Sequence, residues 1–265
     1  MTIPGPNLLK IGLVTDIHYA DTPANEKRDT RASLHRVRQA VNAFQKHDVD
    51  VVVCLGDLIH SGPDIEAERS YMQTIVAELR QVNRPIYFCL GNHCVDRLAK
   101  PEVLEIVGQP TATFDATHQG IRLMGLDTCF NPDGSPYGRL NSDWRVAVLP
   151  TEQMAQLVGS ISERATPTIL FCHHRLDAFD DWSLRNAQQL CHSINPHRQV
   201  FLVLQGHAHI NEVCEIAGRT HITLEPMVGC SAAHNAYSIL TIESPQNYRL
   251  QGFVSQPSYS HRHEP

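Results

Sequence analysis

The chain has 265 residues, a formal net charge of −6, 42% hydrophobic and 19% charged residues. These values exclude disordered and fibrous classes and allow a sizeable core in one domain, residues 1–265. The acidic balance argues against a general nucleic-acid binder, whose surface must match a polyanion. No apolar run is long enough to span a bilayer, and Met1–Lys10 lacks the basic start and apolar stretch of a secretory signal. The eight cysteines form no C-x-x-C pair, and Cys54 and Cys172 sit within apolar runs. They read as reduced thiols of a cytoplasmic protein.

Along the chain, Lys10–Thr15 is predicted as a strand. Leu34, Val37, Val41 and Phe44 put one apolar face on a helix within Arg28–His47. Val51–Leu55 is a β-branched strand closed by Gly56, Ile65–Val82 is helical, and Pro85–Leu90 is a strand closed by Gly91. After residue 120 come a strand at Ile121–Leu126, a Pro/Gly loop at Asn131–Tyr137, and a helix at Thr151–Arg164. A strand at Thr168–Cys172 and a helix at Asp181–Ile194 follow. Strands at Gln199–Gln205, His221–Glu225, Tyr237–Ile242 and Tyr248–Val254 complete the pattern. Strand–helix alternation followed by strand-rich sequence predicts an α/β domain with two sheets.

Histidine is over-represented, with sixteen copies. Five predicted strands end in Asp, Asn or His: Asp16-Ile17-His18, Gly56-Asp57, Gly91-Asn92-His93, His173-His174 and Gly206-His207-Ala208-His209. Strand ends are where ligands bind in open α/β sheets. Carboxylates, imidazoles and an amide suit manganese, iron or zinc. Alternation along an extended chain would let Asp16 and His18 face one ion together, and likewise His207 and His209. Asp57 can use both oxygens to bridge two ions, and a pair about 3.5–4 Å apart clamps a phosphoryl group and ionises water near neutral pH. Two divalent cations against Asp16 and Asp57 leave about +2, attractive to phosphate.

The ordered set D-x-H, G-D, G-N-H, H and G-H-x-H resembles the calcineurin-like metallophosphoesterases, over Asp16 to His209. The resemblance implies a four-layer α/β/β/α sandwich of two mixed sheets flanked by helices. It implies one metal held by Asp16, His18, Asp57 and His209, and another by Asp57, Asn92, His173 and His207. His93 would stabilise the phosphate or protonate the leaving group. The implied activity is hydrolysis of a phosphodiester, phosphoanhydride or phosphomonoester of a small, nucleotide-like substrate by metal-activated water. A non-catalytic scaffold and a nuclease are the rival functions. Asp16-Ile17-His18-Tyr19-Ala20-Asp21, the arginines after it and Ser33-Leu34 are also similar to manganese-dependent ADP-ribose/CDP-alcohol diphosphatases. Arg28 and Arg31 would then meet substrate phosphate.

Two positions depart from the family pattern. Cys94 stands where an acidic residue usually follows Asn-His, leaving Asp96 as a substitute to orient His93. Arg175 stands where proline often follows the histidines. His173 is taken as the ligand because it directly follows the strand end, with His174 the alternative. Tyr137 is a candidate to stack on a base, set against a plain surface hairpin. Asp127 is read as a local turn closer, His60 as a surface-loop residue, Arg36 and Arg38 as a solvated helix face, and His261/His263 as a solvated tail.

Overall fold

The computed structural model describes residues 8–231 and 233–262. The signal-peptide reading of the first residues and the reading of His263 therefore fall largely or wholly outside the described residues. The elements in chain order are β1 (Leu9–Val14), α1 (Ser33–Lys46), β2 (Val51–Cys54), α2 (Ile65–Leu79), β3 (Ile86–Phe88), α3 (Lys100–Val107), β4 (Phe114–His118) and β5 (Ile121–Gly125). They continue with α4 (Thr151–Ser162), β6 (Thr168–Phe171), α5 (Ala187–Ile194), β7 (Val200–Gln205), β8 (Glu212–Ile216), β9 (Arg219–Thr223), β10 (Ala236–Ser244), β11 (Asn247–Val254) and β12 (Tyr259–Arg262).

The strands form two six-stranded mixed sheets, ordered β12-β11-β10-β1-β2-β3 and β4-β5-β6-β7-β9-β8. Side-chain alternation builds the layers. Leu9, Ile11 and Leu13 of β1 and Val51 and Val53 of β2 join Ile169 and Phe171 of β6 and Leu202 and Leu204 of β7 in one apolar cluster between the sheets. The opposite faces carry Val52, Cys54, Leu170 and Val203, which pack with helix residues Val37, Phe44, Ile75, Leu157 and Leu190. Helix–sheet–sheet–helix layering is the result. Strands β1, β2 and β3 run parallel, as do β5, β6, β7 and β9, so their C-terminal ends meet along one rim. Among the described residues no helix is long and apolar enough to cross a membrane.

Several boundaries differ from expectation. Helix α1 starts at Ser33, and residues 28–32 instead form a bend and turn beside the rim. The expected helix at Asp181–Ile194 begins only at Ala187, because Ser183 and Arg175 pair as a β-bridge. Helix α3 and strands β4, β8 and β12 were not expected. α3 is short and opened by the Glu102 carboxylate, which accepts from the Ala99 N–H at 2.8 Å. β8 is a sheet edge with exposed Glu212 and Glu215, which hides its period from hydropathy. His261 lies in β12 with its ring stacked on Tyr248 at 4.8 Å, which corrects the reading of a featureless tail.

Candidate metal centre

Asp16 and His18 leave β1, Asp57 leaves β2, Asn92 and His93 follow β3, His173 follows β6, and His207 and His209 follow β7. Their convergence has a different cause from strand alternation. Asp16, His18, Asp57, His207 and His209 all have positive φ, between 46° and 70°. The left-handed region disfavours L-residues, though Asp and His are enriched there, and such strain concentrates at functional sites. The strand ends therefore turn sharply and throw consecutive motif residues to one place. Two motif glycines permit the close approach. A methyl at Gly91 would overlap the Asp57 carboxylate and backbone nitrogen, and one at Gly206 would overlap the Thr15 hydroxyl and the Asp16 carboxylate.

Among the described residues three groups of potential ligand atoms result, Asp16/His18/His209, Asp57/His173/His207 and, at the edge of the centre, His18/His60/His93. In the first, His209 Nε2 lies 3.3 Å from Asp16 Oδ1, and the Nε2 atoms of His18 and His209 are 3.0 Å apart. Asp16 Oδ2 accepts from Thr15 Oγ1 at 2.7 Å and from the His207 N–H at 3.0 Å, while Oδ1 is buried with no hydrogen-bond partner. In the second, His173 Nε2 lies 3.4 Å from Asp57 Oδ2, 3.3 Å from Asn92 Oδ1 and 3.1 Å from His207 Nδ1. His173 Nδ1 donates to the Leu55 carbonyl at 2.8 Å, which presents Nε2 to the centre. His174 instead turns its Nδ1 to Thr128 Oγ1 at 2.8 Å, so His173 is the one facing Asp57.

Asp57 joins the clusters. Its Oδ2 is 3.5 Å from His18 Nε2 on one side and 3.4 Å from His173 Nε2 on the other, and its Oδ1 accepts from the His93 N–H at 2.8 Å. Burial pushes both carboxyls up, but the surrounding histidines override it and hold Asp16 and Asp57 well below the usual carboxylate range. Burial pushes His18 well down and His207 down to about 3, which keeps these imidazoles neutral with free lone pairs. Burial also opposes protonation of His173, but Asp57 outweighs it and raises the imidazole to about 9.

His93 stands at the edge of the centre, its ring 4.7 Å from that of His18. Its Nδ1 lies 3.4 Å from Ser61 Oγ, which donates to Asp96 Oδ2 at 2.8 Å. Cys94 is buried, accepts from the Leu58 N–H at 3.4 Å, and its thiol is pushed up to about 12 by burial. It cannot supply the charge of an acidic residue there.

A cavity of about 130 Å³ opens on the centre, lined by His18, Arg28, Asp57, Asn92, His93, Trp144, Trp182, His207 and His209. Asn25, Lys27, Arg28, His60 and His209 line an adjoining space of about 460 Å³. A larger groove of about 530 Å³ lies between α4 and the β4–β5 pair, away from these residues. Its one carboxylate, Asp115, is bonded to Arg122 at 2.8 Å, so it offers no comparable chemistry.

Several sequence readings need correction. Tyr137 is 1% exposed and its hydroxyl donates to the Asp143 carbonyl at 2.9 Å, so it fills the core and is not free to stack on a base. Arg31 pairs at the surface with Asp21 at 2.6 Å and does not line the cavity, whereas Arg28 does. His60 is not a simple surface residue: its ring stacks on His93 at 5.0 Å, and its Nδ1 is 3.3 Å from that of His18. Arg36 is buried and donates to the carbonyls of Asp29, Gly229, Ser231 and His234. Asp127 caps the Cys129 N–H as expected, but it also forms a buried ion pair with Lys100 at 2.6 Å. Trp144, Trp182 and Ser61 were missed as neighbours of the site. The available signal was that the chain's two tryptophans both lie in polar, turn-rich segments.

Comparison with known proteins bears on the family and the fold. A probable cyclic nucleotide phosphodiesterase of Synechococcus is 28% identical over 209 residues, 76% of this chain and 73% of its own length. The manganese-dependent ADP-ribose/CDP-alcohol diphosphatase of Arabidopsis thaliana is 26% identical over 109 residues, 39% of this chain and 35% of its own length. This chain thus spans only about a third of that relative. A dimetal phosphatase from Danio rerio superposes with a TM-score of 0.84 at 19% identity, covering 97% of this chain and 99% of the other, and shares the fold. The calcineurin-like phosphoesterase family model matches residues 9–225, so this rim of left-handed Asp and His turns belongs to a member of that family, a hydrolase of phosphate esters.

Proposed function

We propose that the chain, acting as one domain, hydrolyses an ester or anhydride of a small nucleotide-like phosphate at a centre of two divalent ions. The observation that carries this is Asp57 Oδ2, set at 3.5 and 3.4 Å from imidazole nitrogens of two separate ligand clusters. Asp16, His18, Asp57 and His209 would hold one ion, and Asp57, Asn92, His173 and His207 the other. The donors fit such ions. Asp16 Oδ1 is buried without a partner, and imidazole nitrogens face each other at 3.0 Å (His18 and His209) and 3.1 Å (His173 and His207), an arrangement that a cation held by each pair would satisfy; burial favours the neutral, metal-ligating form of His18 and His207. Oxygen and imidazole donors suit manganese, iron or zinc. When bound, the ions supply Lewis acidity and lower the pKa of a coordinated water towards neutrality.

The chain's own residues do the rest. Asp16 and Asp57 set the charge of the centre, and Arg28, on the cavity wall, takes phosphate oxygens by paired hydrogen bonds. His93 stabilises charge on the phosphoryl oxygens or protonates the leaving oxygen, which departs with the P–O electron pair. Ser61 and Asp96 hold its Nδ1 side. The phosphoryl group passes to water, so no phosphorylated side chain forms. Both named relatives act on nucleotide derivatives by their descriptions, which supports a nucleotide-like substrate. The test is hydrolysis of bis-p-nitrophenyl phosphate, p-nitrophenyl phosphate and ADP-ribose by metal-stripped protein refilled with manganese. Turnover restored by the metal is expected; covalent phosphate trapped on a side chain would overturn the mechanism.

A further inference from the structure

Both tryptophans of the chain stand at the mouth of the metal centre. Trp144 opens a 3-10 turn before α4, and Trp182 lies in the loop between β6 and α5. Their rings stack on each other with centroids 4.6 Å apart and planes 26° apart. Each also meets the His207 ring edgewise, at 5.6 and 5.4 Å. The two loops are fastened together. Arg185 N–H donates to the Ala147 carbonyl at 2.9 Å, and Asn186 makes two bonds to the Leu149 backbone at 3.0 and 2.8 Å. The pair is therefore built in advance and needs no loop closure to assemble.

The core does not account for it. Trp182 is 38% exposed, and Phe179 on the same loop is 78% exposed. An indole buries a large apolar area when it can, so leaving more than a third of Trp182 in water beside buried carboxylates and imidazoles is unfavourable unless something covers it. The cavity it borders holds Arg28 on its lining as well. A molecule spanning that cavity needs an anionic group at the centre and Arg28, and a flat π-face at the tryptophans. Aromatic platforms of this kind bind bases by stacking, with little preference among them, because every base has a π-face.

We infer that Trp144 and Trp182 form a stacking platform for the base of a nucleotide substrate, placing the base on the His207 side of the centre. This rests on the phosphohydrolase reading above and adds where the base sits and what selects it. The platform makes the base a determinant of affinity, while its identity matters less.

Because the chain has two tryptophans, intrinsic indole fluorescence reports on this pair alone. The test uses full-length zinc-loaded protein, with AMP and ribose 5-phosphate as probes that share the phosphate and differ by the base. Saturable quenching by AMP, and none by ribose 5-phosphate, is expected. W144L and W182L, each with metal content unchanged, should weaken AMP binding by calorimetry about tenfold and leave ribose 5-phosphate binding as it was. Equal responses to the two probes, or loss of metal in both variants, would overturn the inference and leave the pair as a brace for His207. ADP-ribose hydrolysis is followed in parallel with manganese-loaded protein. Turnover without a base-dependent response rejects the platform alone, and a base-dependent response without turnover rejects the hydrolase reading alone.

Discussion

Asp96→Asn tests how His93 is held in a chain whose Cys94 cannot carry charge. Asp96 Oδ2 accepts from Ser61 Oγ at 2.8 Å, and Ser61 Oγ is 3.4 Å from His93 Nδ1. The second contact is long, so the chain of bonds orients the imidazole weakly. A single hydrogen bond contributes about 1 kcal/mol net, and a long one less. Loss of the carboxylate charge should therefore lower kcat about threefold to fivefold. His93→Ala removes the acid–base group itself and should cost about 10²–10⁴ in kcat. The assay is steady-state hydrolysis of bis-p-nitrophenyl phosphate by manganese-loaded protein, with metal content measured on each variant. Both substitutions should lower kcat with KM and metal nearly unchanged, and Ser61→Thr, which keeps a hydroxyl, should retain more activity than Ser61→Ala. If Asp96→Asn cost as much as His93→Ala, Asp96 would be acting directly on the reaction. If His93→Ala lost metal, His93 would be a ligand.

Other substitutions test separate parts of the structure. Arg36→Met leaves four backbone carbonyls without their guanidinium, and unfolding by urea should show a loss of about 3–5 kcal/mol, because even partial hydration leaves buried acceptors unpaired. A loss below about 1 kcal/mol would mean that water replaces the guanidinium freely. Gly206→Ala should abolish metal binding while the chain still folds, since the added methyl meets Thr15 and Asp16 at the rim; metal content and circular dichroism decide this. Tyr137→Phe loses one bond to the Asp143 carbonyl and should cost about 1 kcal/mol of stability with KM unchanged; a raised KM would return Tyr137 to the substrate.

The two sheets and the residues gathered at their rim are legible in the sequence because each motif sits directly after its strand. Chain continuity alone carries Asp16, Asp57, Asn92, His173 and His207 to strand ends, and parallel pairing brings those ends together. The local geometry was not legible. Period-two alternation suggested that Asp16 and His18 face one side of an extended segment, whereas both are in left-handed turns. That conformation depends on Gly91 and Gly206 making room from other strands, which no local pattern encodes. Arg36 illustrates a second limit. It shares a helix with solvent-facing Arg38, and only the approach of Gly229, Ser231 and His234, together with the turn at Asp29, gives its guanidinium four carbonyls. Tyr137 followed turn chemistry to the surface in the sequence reading, yet its ring turns inward from that loop. Trp182 was hidden inside an expected helix that the Arg175–Ser183 pairing shortens. Residues placed by distant partners escape a reading built on neighbours.

Metal content and hydrolysis measured together on wild type and Asp57→Asn decide whether one carboxylate joins two ions. Wild-type protein refilled with manganese should bind two ions per chain and hydrolyse bis-p-nitrophenyl phosphate or ADP-ribose. Asp57→Asn should lose both the second equivalent of metal and turnover. Full metal occupancy and unchanged turnover in the variant would contradict a two-ion centre built around Asp57.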